Sequence, residues 1–333
     1  MKSVLLHGGS GDHSSEDRIR GLCRLLPEKP EIYSGALEED WRYGLAELGP
    51  LIRNRPGVMA HRLRRGDRCI TAWPDGVQEL RKGVRAVLWG WSPAGEIGPQ
   101  MVKKLSRFQQ IVVTEPRSAA LLRRAGLEKK VRIGPDPAFL VGRQIRALRG
   151  AFRQDTLGLC VSPSVGNLER SQGLLFRSYC DLIRWVLTNT RWQVALIPYC
   201  AKKGCNDALL HKAILRQFPG EDRLICREDG DCRVLRGDLS MCRCCVGTAG
   251  VPAAWSCGVP GVCIGAGSHV QGLADTLFTS GRESVVRVSS LKTEEDLTQY
   301  FVEFLRKEDA LRRWLQVSAP RYRQWAQEWK WCG

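Results

Sequence analysis

Apolar residues recur along this chain in two alternating spacings, and the alternation runs from one end to the other. Short apolar runs of strand length fall at residues 4–7, 32–34, 68–72, 86–89, 110–114 and 131–133. Between them lie stretches with helical spacing at 17–26, 101–108 and 117–125, the last stopped by Gly126 as a C-terminal cap. A second series opens with a strand at 157–162 and continues with strands at 193–198, 224–226, 244–248 and 262–265. Its predicted helices are 174–189, with Leu175, Leu182, Ile183 and Val186 on one face, then 206–218, 253–257 and 272–278. Residues 294–329 are helical nearly throughout, and Pro320 marks the expected kink.

Strands that alternate with helices through short loops predict open, mainly parallel sheets covered on both faces, an α/β chain. At 333 residues the chain fits two such domains. The basic, apolar-poor stretch 142–155 separates them, which predicts a Rossmann-like domain over 1–145 and a second over 156–290. Helices over 291–333 are expected to pack back on the body. Folds of this kind bind ligands beyond the carboxyl ends of their strands, so the cleft between the domains is the expected site.

Charge narrows the partners. The net charge is +16, from 51 basic against 35 acidic residues, which raises nucleic acid as a candidate. That charge is spread over helix faces such as 117–124 and 306–313, and no zinc finger, helix-turn-helix or basic–aromatic module accompanies it. Anionic small molecules or an anionic membrane surface are the expected partners, and no specific nucleic acid. No stretch approaches the roughly 18 apolar residues of a membrane span. The opening run of residues 1–9 is too short for a signal peptide, so a cytoplasmic protein is expected. The fourteen cysteines follow from that: Cys160, Cys226, Cys244 and Cys263 sit in apolar runs and read as buried thiols. Cys242 and Cys245 form a CxxC that runs straight into a strand, so no metal site is expected. In the aromatic tail, Trp314, Trp325 and Trp329 read as a core-facing stripe.

Two segments carry candidate chemistry. Gly8-Gly9-Ser10-Gly11-Asp12-His13 lies between the first strand and the first helix. Glycines there allow backbone N–H groups to approach an anion at a helix N-terminus, and the same residues also make a tight turn with Asp12 as cap. It has neither the GxGxxG spacing nor a Walker lysine. The second segment, residues 244–260, reads as strand, small-residue loop, short helix and Gly258-Val259-Pro260. It either presents a helix N-terminus to a phosphate or a nucleotide-sugar, or packs a strand closely on a helix.

An ordered series of motifs resembles polysaccharide pyruvyl transferases of the capsule and exopolysaccharide type. It comprises the opening glycine segment, Leu88-Trp89-Gly90-Trp91-Ser92, Glu115 with the helix ending at Gly126, Asp136-Pro137-Ala138-Phe139-Leu140, and Leu196-Ile197-Pro198. Asn206-Asp207, Cys242-Arg243, Gly258-Val259-Pro260, Gly272-Leu273-Ala274 and Ser290-Leu291-Lys292 follow in order, so that the resemblance spans nearly the whole chain. It implies two tandem Rossmann-like domains, as in glycosyltransferases of the B type. It also implies transfer of a pyruvyl group from phosphoenolpyruvate to a sugar of a cell-surface polysaccharide, as a ketal. Phosphoenolpyruvate is then the donor substrate, a glycan the acceptor, and no cofactor or metal is called for. The candidate catalytic residues are Glu115 and, as replacements for the acid the family pattern would supply, His269 and His13. The implied substrate-binding residues are Gly8, Gly9, Ser10, Gly11, Asp12, Ser162, Tyr199, Thr248 and Gln271. Glu115 also reads as a helix-start acid.

The chain departs from the family pattern where charge matters. The arginine and histidine expected ahead of Gly258-Val259-Pro260 fall on Gly247 and Ala249, and a lysine and an arginine further on fall on His269 and Gln271. An arginine before Glu115 is Thr114, and a histidine after Ile197-Pro198 is Tyr199. Each lost charge-assisted contact is worth about 1.5–3 kcal/mol, and a general acid about 10²–10⁴ in rate. Two alternatives to catalysis by pyruvyl transfer therefore stand: a nucleotide-sugar glycosyltransferase, and a catalytically inactive paralogue that binds glycan.

Overall fold

A computed structural model of the chain describes residues 3–7, 20–22, 24–25, 31–34, 65, 68–71, 83–93, 95–141, 155–162, 169–199, 207–227, 232–248, 250–265, 268–278 and 281–329. The glycine segment 8–13 and most of the expected linker, 142–154, lie outside the described residues.

Two parallel six-stranded sheets organise the molecule. The first contains β1 (Ser3–His7), β2 (Glu31–Ser34), β3 (Arg68–Thr71), β4 (Arg85–Trp89), β5 (Gln110–Val113) and β6 (Val131–Ile133), in the order β2-β1-β3-β4-β5-β6. The second contains β7 (Thr156–Cys160), β8 (Gln193–Leu196), β9 (Leu224–Cys226), β10 (Cys244–Gly247), β11 (Gly261–Gly265) and β12 (Val285–Arg287), in the order β12-β11-β10-β7-β8-β9. Each sheet reverses its strand order, between β1 and β3 in one and between β7 and β10 in the other. Such switch points are where open α/β sheets take ligands. Strands buried on both faces read as continuous apolar runs, as β5 and β7 do, and every residue of each is buried.

The labelled helices are α1 (Pro99–Leu105), α2 (Pro116–Leu122), α3 (Glu169–Asn189), α4 (Asp207–Leu215), α5 (Cys232–Met241), α6 (Gly250–Ser256), α7 (Ser268–Leu277), α8 (Asp296–Leu305) and α9 (Glu308–Glu328). The expected stop at Gly126 is present, with φ at 81°. Helix α5 and strand β12 were not apparent in the pattern. In α5, Arg236 and Asp238 are buried charges that mask its apolar face, and Asp238 is held by Arg227 at 3.0 Å. No helix among the described residues is long and apolar enough to cross a membrane.

The C-terminal helix joins both halves. Its buried residues Glu308, Leu311, Leu315, Ala319, Tyr322 and Ala326 form one stripe at helical spacing. Two expectations change here. Trp314 and Trp325 are 46% and 37% exposed, because that stripe runs through 311, 315, 319 and 322 and leaves both indoles at its margin. Trp329 does pack inward, edge-to-face on Trp89 at 4.9 Å, and its indole N–H donates to the carbonyl of Ile133. The break in the terminal helices falls at residues 306–307, and α9 runs unbroken through Pro320. Glu308 anchors its first turn beneath the second sheet, where Arg243 donates to the carboxylate at 2.9 Å.

The cysteines also divide. Cys160, Cys244, Cys245 and Cys263 are buried, and burial pushes their thiols up, Cys263 to about 12, so they remain protonated and inert. Cys226 is exposed instead, because it ends a three-residue strand at the sheet's edge.

Tyr322 ties α9 to the exit from the first sheet. Its buried hydroxyl accepts from the Asp136 N–H at 2.8 Å, and its ring lies 4.6 Å from that of Phe139. Tyr322→Phe removes the acceptor and keeps the packing, so it is expected to cost about 1–3 kcal/mol. A urea unfolding midpoint unchanged from that of the wild type would contradict this role.

Candidate functional site

Nearly every singled-out residue among those described follows the carboxyl end of a strand. Glu115 follows β5, Ser162 follows β7, Tyr199 follows β8 and Thr248 follows β10, while His269 and Gln271 lie in α7 just after β11. They form two clusters.

The first cluster surrounds Glu115. Pro116 at the first helical position fixes the start of α2, and Glu115 is its N-cap, accepting from the Ser118 N–H at 2.9 and 3.0 Å. Ser92, just beyond β4, shares a 2.7 Å hydrogen bond with the Ser118 hydroxyl and lies 3.5 Å from the Glu115 carboxylate. The carboxylate is fully enclosed, and what encloses it includes the other half of the molecule. A Cβ at Gly272, in α7, would stand 2.5 Å from Glu115 Oε2 and 2.7 Å from its Cβ. Glycine at 272 is what allows α7 to rest on this carboxylate. Gln271, one residue earlier, is half-buried and donates to Asp275 on its own helix at 2.9 Å. The described backbone places His269 in the first turn of the same helix.

The second cluster is the switch point between β7 and β10. The Thr248 N–H and hydroxyl both donate to the Cys160 carbonyl, at 2.8 and 3.1 Å. Gly247 has φ at 141°, and a Cβ there would lie 2.2 Å from that same carbonyl oxygen. Position 247 therefore has no room for a side chain. Gly250 opens α6 against the Cys160 thiol and the Tyr199 ring, which brings the tips of β7, β8 and β10 together. Ser162, Tyr199 and Thr248 are all buried there. Tyr199 is held by Asp207, whose carboxylate accepts its backbone N–H at 2.7 Å.

One turn along α4 from Asp207, His211 is completely buried, with Nδ1 3.8 Å from the Cys226 sulfur. Burial lowers its pKa from 6.5 to about 4, which keeps the ring neutral.

Sequence reasoning assigned no part to Ser118, or to Asp207 as the holder of Tyr199. Asp207 was visible in the Asn206-Asp207 motif, but its contact with the Tyr199 N–H, eight residues earlier, leaves no local signature. Gly8, Gly9, Ser10, Gly11, Asp12, His13 and Ala249 lie outside the described residues, as does the side chain of His269.

Comparison with known proteins bears on this geometry. Residues 78–228, just under half of the chain, match the model of the family described as polysaccharide pyruvyl transferase. That segment is similar to the polysaccharide pyruvyl transferase family. It runs from ahead of β4 to just past β9 and contains Ser92, Glu115, Ser162 and Tyr199. The match is narrower than the resemblance over nearly the whole chain, and residues 247–249 and 269–271 lie outside it. No curated protein matches the chain.

Solved structures match it nearly end to end. Staphylococcus aureus MnaA, solved with UDP, has a TM-score of 0.70 at 10% identity, covering 98% of this chain and 94% of its own. A putative UDP-N-acetylglucosamine 2-epimerase from Listeria monocytogenes has a TM-score of 0.65 at 12% identity, with coverage of 98% and 94%. HepE from Anabaena, solved with UDP and glucose, has a TM-score of 0.61 at 12% identity, covering 98% of both chains. These likenesses fix the fold as two Rossmann-like units of the glycosyltransferase-B kind, with a helical C-terminal segment.

Two predictions follow from the second cluster and its support. Gly247→Ala combines a backbone conformation that favours glycine with a clash against backbone, and is expected to cost about 1–3 kcal/mol or more; a melting temperature equal to the wild type's would refute the close approach. For His211, the unfolded chain takes up a proton near pH 6.5 that the folded chain refuses until about pH 4. Stability relative to His211→Leu should therefore fall as pH drops from 6.5 to 4, by about 3 kcal/mol in all. Parallel stability–pH curves for the two proteins would count against a buried neutral imidazole.

Proposed function

We propose that the chain transfers a pyruvyl group from phosphoenolpyruvate to a sugar of a cell-surface polysaccharide, in the cleft where the strand tips of the two sheets meet. The observation that carries this reading is the placement of the family segment. It supplies the tips of β4, β5, β7 and β8, and α7 of the second unit closes on Glu115 within it.

The chemistry sets what the cleft must do. A proton adds to the methylene carbon of phosphoenolpyruvate, and C2 gains oxocarbenium character. One sugar hydroxyl bonds to C2 and gives up its proton. Phosphate leaves with its bonding electrons, and a neighbouring hydroxyl closes the ketal, releasing a second proton. In this reading His269 and His13 are the candidate acids, one from each unit. Glu115 is a positioning residue, because its carboxylate is spent on the α2 cap and on α7. Ser162, Tyr199, Thr248 and Gln271 line the donor and acceptor path. The surplus of +16 suits a donor carrying both phosphate and carboxylate.

One observation favours a second reading, a family member that binds glycan without turning it over. At Gly247, where the resemblance implies an arginine, the backbone packs so closely on Cys160 that a side chain would clash with it.

The test is phosphate release with ketal formation, followed by ³¹P and ¹³C NMR, on incubation with phosphoenolpyruvate and a panel of glycans. Transfer is expected, with His269→Ala lowering kcat by about 10²-fold or more. Glycan affinity without any phosphate release would establish the second reading. Thermal stabilisation by UDP-glucose and not by phosphoenolpyruvate would replace both with a nucleotide-sugar transferase.

A further inference from the structure

A cavity of about 400 Å³ lies away from the strand tips, where three parts of the chain meet. Arg24 and the exit segment Pro137–Leu140 come from the first unit, the end of α6 from the second, and the third wall is α9 around Pro320. Helix α6 begins beside Thr248 at the switch point. Its seven residues, at about 1.5 Å each, carry Ser256 and Cys257 roughly 10 Å away from it. This cavity is therefore separate from the site described above.

Two arginines face it. Arg24 donates to the Leu140 carbonyl, and Arg323 donates to the Phe139 carbonyl at 3.4 Å and to the Ser256 carbonyl at 2.9 Å. The two guanidiniums thus bond to neighbouring carbonyls of one short segment. Among the described residues neither forms an ion pair; their partners are neutral backbone oxygens. Several of the five N–H donors of each guanidinium remain unspent. Two like charges held together without a carboxylate repel each other, and the arrangement is relieved by an anion. Gln316 and Gln327 add amide donors, and Leu315 and Ala319 give an apolar wall. Pro320 has no N–H to offer the Gln316 carbonyl, which weakens the helix's claim on that residue. The volume falls within the range of small-molecule sites and exceeds the needs of a single phosphate.

We propose that this cavity is a second binding site, which takes a small polyphosphate-bearing anion between Arg24 and Arg323. An occupant touches both units and the C-terminal helix at once, and so ties together the parts that must move if the cleft opens.

Isothermal titration of the full chain with inorganic pyrophosphate tests it. Wild type should bind, and Arg24→Gln with Arg323→Gln should weaken binding by about tenfold or more, since each removes a charge-assisted contact. Because Arg323 also holds two carbonyls, Gln316→Glu provides an independent check. It keeps both arginines and adds a carboxylate to the cavity, so it should weaken pyrophosphate to a similar degree without lowering the melting temperature. Absence of binding by wild type overturns the proposal. So does binding that Gln316→Glu leaves unchanged, which would place pyrophosphate in the cleft. Neither result depends on pyruvyl transfer, because binding alone is measured.

Discussion

The contact of Gly272 with Glu115 is the point on which this molecule's cleft depends. The two sheets carry largely separate cores, with Phe139 at the exit from the first packed into that of the second. What brings their tips together is a helix of the second unit resting on a carboxylate of the first. The approach is so close that a single methyl group at 272 would overlap Glu115. That carboxylate is already committed to capping α2, and Ser92 and Ser118 surround it. The surface on which α7 rests is thus stiff, because moving it would uncap a helix.

The opposite side of the molecule is held by different means. Helix α9 lays Tyr322, Arg323 and Trp329 across the exit from the first sheet, while Glu308 fixes its start to Arg243 under the second. The contacts there are aromatic edges and hydrogen bonds to backbone, spread over some twenty residues of helix, whereas on the cleft side helix α7 packs on the start of α2 with Gly272 against Glu115. A clamp at the back with a tight, narrow contact at the front suits a protein whose two halves separate to admit a ligand. The paired arginines of the rear cavity lie within that clamp.

How much of this was legible in the sequence follows from what local pattern can encode. Strand positions emerged well because parallel strands are apolar on both faces; β5 and β7 could be read directly. Glu115 was recognisable as a helix-start acid because Pro116 follows it, and Gly126 as a stop because the apolar period ends there. Helix α5 was hidden by Arg236 and Asp238, buried charges that local pattern reads as surface. Trp314 and Trp325 were misplaced because spacing identifies a stripe but not which side of it faces inward. The reason for glycine at 247 and 272 was not legible. Each meets a residue 87 or more positions away, Cys160 in one case and Glu115 in the other, and no window of sequence contains both partners. Position 247 read in the sequence as a lost charge; in the fold it is a point where two strand tips touch.

The measurement that bears most directly on a ligand site between the two sets of strand tips is a crystal structure of the chain grown with phosphoenolpyruvate. Density for the donor between the turn at residues 90–93, the start of α2 and the first turn of α7, with Glu115 still capping its helix, is the predicted result. Donor density elsewhere, or two units whose tips stand apart with Gly272 nowhere near Glu115, would contradict the account.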